Sequence, residues 1–93
     1  MASFERDNFG ADTLYELGIM SASGREAAAD LVSAHKWFNI AAMRGHTDAA
    51  RMRREIAAEM SDAEIGQAQR AARDWLNSHT EAAPAAPQFR AAA

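Results

Sequence analysis

The chain has 93 residues, of which 48% are hydrophobic and 25% are charged, and its formal net charge is −3. A chain of this length forms one small domain, and the absence of cysteine excludes disulfides, thiolate catalysis and cysteine-ligated metal sites. An acidic chain without a basic stripe is not typical of nucleic-acid binders, and no stretch approaches the roughly 18 apolar residues that cross a bilayer.

Two helices are expected in the first half of the chain. The first runs from about Asp12 to Ala22 and ends at Gly24, because glycine suits the left-handed residue that follows many helices. The second begins after Asp30, a typical N-cap, and ends at Arg44-Gly45. Large and small apolar residues recur in it at spacings of three and four and are expected to face inward: Leu31, Ala34, Trp37, Phe38 and Ala41.

Two further helices are expected in the second half. Thr47 or Asp48 is predicted to cap the third helix. Ser61 and Glu64 have the spacing of a capping box at the start of the fourth, which extends to about Ser78. The residues predicted to face inward follow the helical period: Ala49, Met52, Ile56 and Met60 in the third helix, and Ile65, Ala68, Ala72, Trp75 and Leu76 in the fourth.

Short connections between these helices predict an all-α fold of four antiparallel helices, arranged as two α-hairpins. The helical domain covers residues 11–78, after a flexible N-terminus at 1–10. Residues 79–93 are rich in alanine and proline and offer no apolar face, so they are expected to form a disordered tail. The chain begins without the pattern of a secretion signal, and we therefore expect a cytoplasmic protein.

One stretch of the chain matches a known repeat pattern in its small and aromatic residues: Leu17-Gly18, Gly24, Asp30, Ala34, Trp37-Phe38, Ala41-Ala42, Gly45 and Ala49. It resembles the Sel-one-like repeat family, which is related to tetratricopeptide repeats, with one repeat at about residues 14–49 and a degenerate helical pair after it. The resemblance implies a right-handed superhelical stack. It also implies a non-enzymatic bacterial adaptor or scaffold that binds other proteins.

Six residues are candidates for partner binding. Leu14, Leu17 and Ser21 occupy the inward stripe of the first helix, so at least one of its other large residues should be partly exposed. The candidates are Tyr15, Ile19 and Met20 on the first helix, with Arg44, Arg51 and Arg54 on and beside the third. The alternatives are that the apolar three belong to the shared core, and that the arginines form a solvated face.

No catalytic, metal or cofactor site is expected. The three histidines lie in different elements without a nearby carboxylate cluster, and His35 is predicted to lie on a helix face and His46 in a turn. No nucleophile and base are brought together by the spacing. The first hypothesis is therefore a module that binds a protein or peptide, the second is a homodimer, and nucleic-acid binding is a further alternative.

Overall fold

The computed structural model describes residues 10–24 and 29–79 and shows four α-helices without a strand in these ranges. They are α1 (Ala11–Ser23), α2 (Leu31–Met43), α3 (Thr47–Ala57) and α4 (Asp62–Ser78). The predicted all-α fold and its four helices are confirmed. The predicted flexible N-terminus, apart from Gly10, and the tail beyond His79 lie outside the described residues.

Three predicted helix boundaries have the expected local chemistry. Asp30 caps α2 by accepting a hydrogen bond from the backbone N–H of Ser33 at 3.0 Å. Ser61 and Glu64 form a complete capping box at the start of α4, with each side chain accepting from the other residue's backbone N–H. Gly24 ends α1 with φ of 71°, in the left-handed region that glycine enters without strain.

The predicted cap of α3 is wrong. The helix begins at Thr47, and the residue before it, His46, is the N-cap: its Nδ1 accepts a hydrogen bond from the backbone N–H of Ala49 at 3.1 Å. Gly45, at φ of 96°, completes the turn from α2 and leaves His46 in the extended conformation that an N-cap requires. Thr47 and Asp48 therefore lie inside the helix.

Helix α2 is the centre of the fold, because all three extensive helix–helix interfaces in the described part of the chain involve it. It runs antiparallel to α1, because the backbone N–H of Asp30, just before α2, donates a hydrogen bond to the carbonyl oxygen of Ser21 near the end of α1. It also runs antiparallel to α3, because the Arg53 guanidinium donates to Asn39 across the short turn between the two helices at 2.7 Å.

The interface between α1 and α2 depends on a glycine. A Cβ atom added to Gly18 would lie 2.5 Å from Cε1 of Phe38, which is closer than two carbon atoms can approach. Phe38 and Leu14 are fully buried beside it. Gly18 thus lets α1 and α2 approach closely around Phe38.

Helix α4 lies along α2 in the same direction. The indole of Trp37, at the middle of α2, meets that of Trp75, near the end of α4, edge to face with centroids 5.7 Å apart. At the other end, Val32 and Glu64 line one shallow cleft. The helices therefore alternate in direction along the chain. None of the helices in residues 10–24 and 29–79 is long and apolar enough to span a membrane.

Candidate partner-binding surface

Helices α1 and α3 are joined at one end by an aromatic contact. The ring of Tyr15 stacks on the imidazole of His46, with centroids 4.2 Å apart and an angle of 15° between the planes. Because Nδ1 of His46 accepts the capping hydrogen bond, Nε2 carries the proton of the neutral ring. Nε2 lies 3.4 Å from Oδ1 of Asp12 on α1. Two side chains of α1, those of Asp12 and Tyr15, thus contact the N-cap residue of α3.

We call this surface the α1–α3 face and define it by Asp12, Tyr15, Ile19, His46, Arg51 and Arg54. Ile19 lies one helical turn beyond Tyr15, so the two side chains share one side of α1. Ile19 is 37% exposed. Tyr15 is half-buried, and its ring also packs against the ring of Phe38, with centroids 5.7 Å apart. The face therefore has an apolar side chain open to solvent beside an aromatic one that is held in place.

Arg51 contributes a cation to the face from α3, but it is already paired. Its guanidinium contacts Asp48 at 3.1 Å and Glu55 at 3.8 Å, and all three side chains are more than half exposed. The hydrogen bond to Asp48, and then the charges of Asp48 and Glu55, raise the pKa of Arg51 above its usual value. Exposed ion pairs of this kind are worth about 0–1 kcal/mol, so a partner carboxylate can replace one of them at little cost.

The structure separates Met20 from the other two apolar candidates. Met20 is 61% exposed, but successive residues of a helix point about 100° apart, so it lies on a different side of α1 from Ile19. The prediction that at least one of Tyr15, Ile19 and Met20 would be exposed is met by two of them.

The three predicted arginines do not form one patch. Arg44 lies with its guanidinium carbon 5.7 Å from the centre of the Trp75 ring, and thus on the α4 side of α2. Arg54 is exposed one turn from Arg51 on α3, and none of the ion pairs found among the described residues includes it. Arg51 and Arg54 remain neighbours, and Arg44 faces elsewhere.

A second group of aromatic and cationic side chains lies between α2 and α4. Besides the contact of Trp37 with Trp75, the Nζ of Lys36 lies 3.9 Å from the centre of the Trp37 ring. His79 was predicted to belong to the tail, but its imidazole stacks on the Trp75 indole with ring centroids 4.1 Å apart. Its Nδ1 also lies 2.9 Å from the Trp75 carbonyl oxygen. Both indoles are half-buried, so they contribute to packing as well as to the surface.

Two features were missed by sequence reasoning. Met43, near the end of α2, is 61% exposed, although its position off the inward stripe could have indicated this. His35 was expected on a helix face and is instead buried, with 4% of its surface exposed. Burial, and then the nearby charge of Arg53, lower its pKa below the usual value. Its Nδ1 is buried without a hydrogen-bond partner among the described residues.

One shallow cleft of about 520 Å³ opens at the starts of α2 and α4. Its lining includes three carboxylates and three apolar residues, but Asp30 and Glu64 already cap helices. No group of three or more potential metal ligands occurs in residues 10–24 and 29–79.

Comparisons with known proteins add no relative. No family model matches the chain, and no curated protein and no solved structure matches it.

Proposed function

We propose that this protein is a small cytoplasmic adaptor, built on a Sel-one-like repeat, that binds a segment of another protein through the α1–α3 face. The repeat is supported by the close approach of α1 and α2 at Gly18 and by the alternating direction of the four helices. In a stack of helical hairpins, the first helices of successive hairpins form one shared surface. Here these helices are α1 and α3.

The observation that carries the proposal is the stack of Tyr15 on His46, which connects α1 to the N-cap of α3. Ile19 offers an apolar contact on one helix and Arg51 and Arg54 offer cations on the other. A partner segment with an apolar side chain and nearby carboxylates suits this arrangement. The surface of two short helices is small, so the complex is expected to be weak and transient.

The experiment compares surface variants that leave the fold intact. Ile19→Ser and Arg54→Glu change the proposed face without removing a described hydrogen bond or ion pair. Met43→Ser is the matched control, because Met43 is also exposed and apolar but lies on α2. Affinity capture from the native cytoplasm with the unchanged protein is expected to recover a specific partner.

The two variants on the α1–α3 face should then lose most of that partner, and Met43→Ser should keep it. Thermal unfolding of each variant checks that binding is not lost through unfolding. Equal recovery with Ile19→Ser, Arg54→Glu and the unchanged protein would remove the α1–α3 face as the binding surface. Recovery of no specific partner at all would remove the adaptor function.

A homodimer is the second candidate, and the exposure of Met20 and Met43 favours it. Each methionine is 61% exposed, and apolar side chains of this size are commonly covered in an interface. Light scattering over a wide concentration range should then show a mass that doubles, and Met20→Ser or Met43→Ser should prevent this. A constant monomer mass rules the homodimer out.

A further inference from the structure

A polar cluster lies between α2 and α3, where the rest of the core is apolar. It consists of His35 and Asn39, one turn apart on α2, and Arg53 on α3. The Arg53 guanidinium donates to Oδ1 of Asn39 at 2.7 Å, and its charge acts on the ring of His35. His35 itself is 4% exposed. The two helices therefore meet around a buried titratable ring.

Burial and the charge of Arg53 favour the neutral form of this ring over the protonated form, and they outweigh a backbone hydrogen bond at His35 that acts in the other direction. Protonation gives both ring nitrogens a hydrogen to donate, yet Nδ1 has no partner in the described part of the chain. The new positive charge would be buried close to the cation of Arg53.

The surrounding helices supply no compensating negative charge. None of the ion pairs found in residues 10–24 and 29–79 includes His35, and no carboxylate of α1, α3 or α4 is among the groups that shift its titration. The charged neighbour on its own helix is Lys36, which is also a cation.

We propose that the interface between α2 and α3 is an acid-sensitive joint, in which uptake of a proton by His35 separates α3 from α2. Proton uptake is favoured in the open form, where water can solvate the charged ring. Because α3 also carries Arg51 and Arg54, the same step would dismantle the α1–α3 face and release a bound partner in acid. This last consequence, unlike the opening itself, rests on the proposed function.

The direction of the pH dependence follows from the lowered pKa. In the unfolded chain His35 titrates near its usual pKa of 6.5, and in the folded chain it titrates below that value. Between these two values the unfolded chain binds more protons, so stability is full above about pH 6.5 and is lost as the pH falls further. For one proton, the folding equilibrium constant falls by at most about tenfold per pH unit.

The experiment isolates His35 from the other two histidines of the chain. The variant His46→Asn/His79→Gln retains His35 alone, and Asn keeps an acceptor at the start of α3. Its partner variant also carries His35→Leu and has no histidine. Urea unfolding is measured for both at pH 7.5, 6.5 and 5.5, above the range in which most carboxylates titrate.

The folding equilibrium constant of the protein with His35 should fall several-fold, and at most about tenfold, from pH 6.5 to 5.5, whereas that of the histidine-free protein should change less than about twofold. Equal falls in the two proteins would overturn the proposal.

A second measurement on the unchanged chain does not depend on whether His35→Leu folds. The NMR signal of the His35 ring should show that it stays neutral in the folded protein below pH 6.5. Hydrogen exchange, corrected for its intrinsic pH dependence, should show lower protection in α3 than in α1 as the pH falls. A His35 ring that titrates at or above pH 6.5, or protection that falls equally in both helices, would overturn the joint.

Discussion

Replacement of Gly18 by alanine tests the central contact of the fold. The added Cβ would lie 2.5 Å from Cε1 and 2.6 Å from Cδ1 of Phe38, and this ring is fully buried, so it cannot swing away. Overpacking of a core costs about 1–3 kcal/mol, and two overlapping ring carbons place this case near the upper end. Alanine returns about 1 kcal/mol through its higher helix propensity.

A net loss of about 2 kcal/mol in the free energy of unfolding is therefore expected, which corresponds to a fall of about 8–16 °C in Tm for a domain of this size. The assay is urea and thermal unfolding followed by circular dichroism. Gly66→Ala is the matched control, because the nearest atom to its added Cβ is the flexible end of Arg70 at 3.6 Å. This control should gain about 0.5–1 kcal/mol from helix propensity.

If Gly18→Ala were as stable as Gly66→Ala, then α1 and α2 would not approach as closely as described. Repeat-like packing of these two helices would then lose its main support. Combination with Phe38→Leu provides a further check, because the smaller side chain removes the overlap. The double variant should lose less stability than the sum of the two single losses.

Three smaller predictions concern the helix ends. Ser61→Ala should cost about 1 kcal/mol, measured by urea unfolding, because it breaks the capping box with Glu64; an unchanged midpoint would contradict the box. His46→Ala should cost a similar amount, about 1 kcal/mol, while His46→Asn should cost less because it keeps the cap acceptor of α3; equal losses would show that the cap does not matter. The backbone N–H of Ser33, and then its hydroxyl, donate hydrogen bonds that lower the pKa of Asp30 below 3.8. The ionised Asp30 carboxylate therefore contributes stability above about pH 3.8, and this contribution is lost as the pH falls below that value. Asp30→Asn should remove this part of the acid dependence, and an unchanged acid unfolding curve would contradict it.

Local chemistry explains which helix boundaries could be predicted from the sequence. Asp30, Ser61 and Gly24 act through residues within a few positions along the chain, so their roles are visible in the sequence. The cap of α3 was missed because histidine is not among the preferred N-cap residues, whereas Thr47 and Asp48 are. Its ring is held from α1, by a stacking contact that only the folded chain creates.

The arginine candidates and the burial of His35 also depend on contacts between helices, which only the folded chain creates. The helical period predicts the inward stripe of α2 correctly, but a stripe describes only one buried face. Because α2 packs against three helices, more than one of its faces is buried. The wider buried surface includes His35, which is off the predicted stripe. The grouping of Arg44 with Arg51 failed for a related reason: proximity along the chain does not show that a turn directs one of them toward Trp75.

The central position of α2 also limits where a partner can bind without unfolding the protein. Most side chains of α2 are buried or half-buried against α1, α3 and α4, so a substitution there changes stability before it changes a surface. Ile19 and Arg54 are exposed on the two helices that His46 joins, and neither has a described role in a cap or ion pair. Loss of binding without loss of stability is therefore expected at these two positions, and not at Phe38.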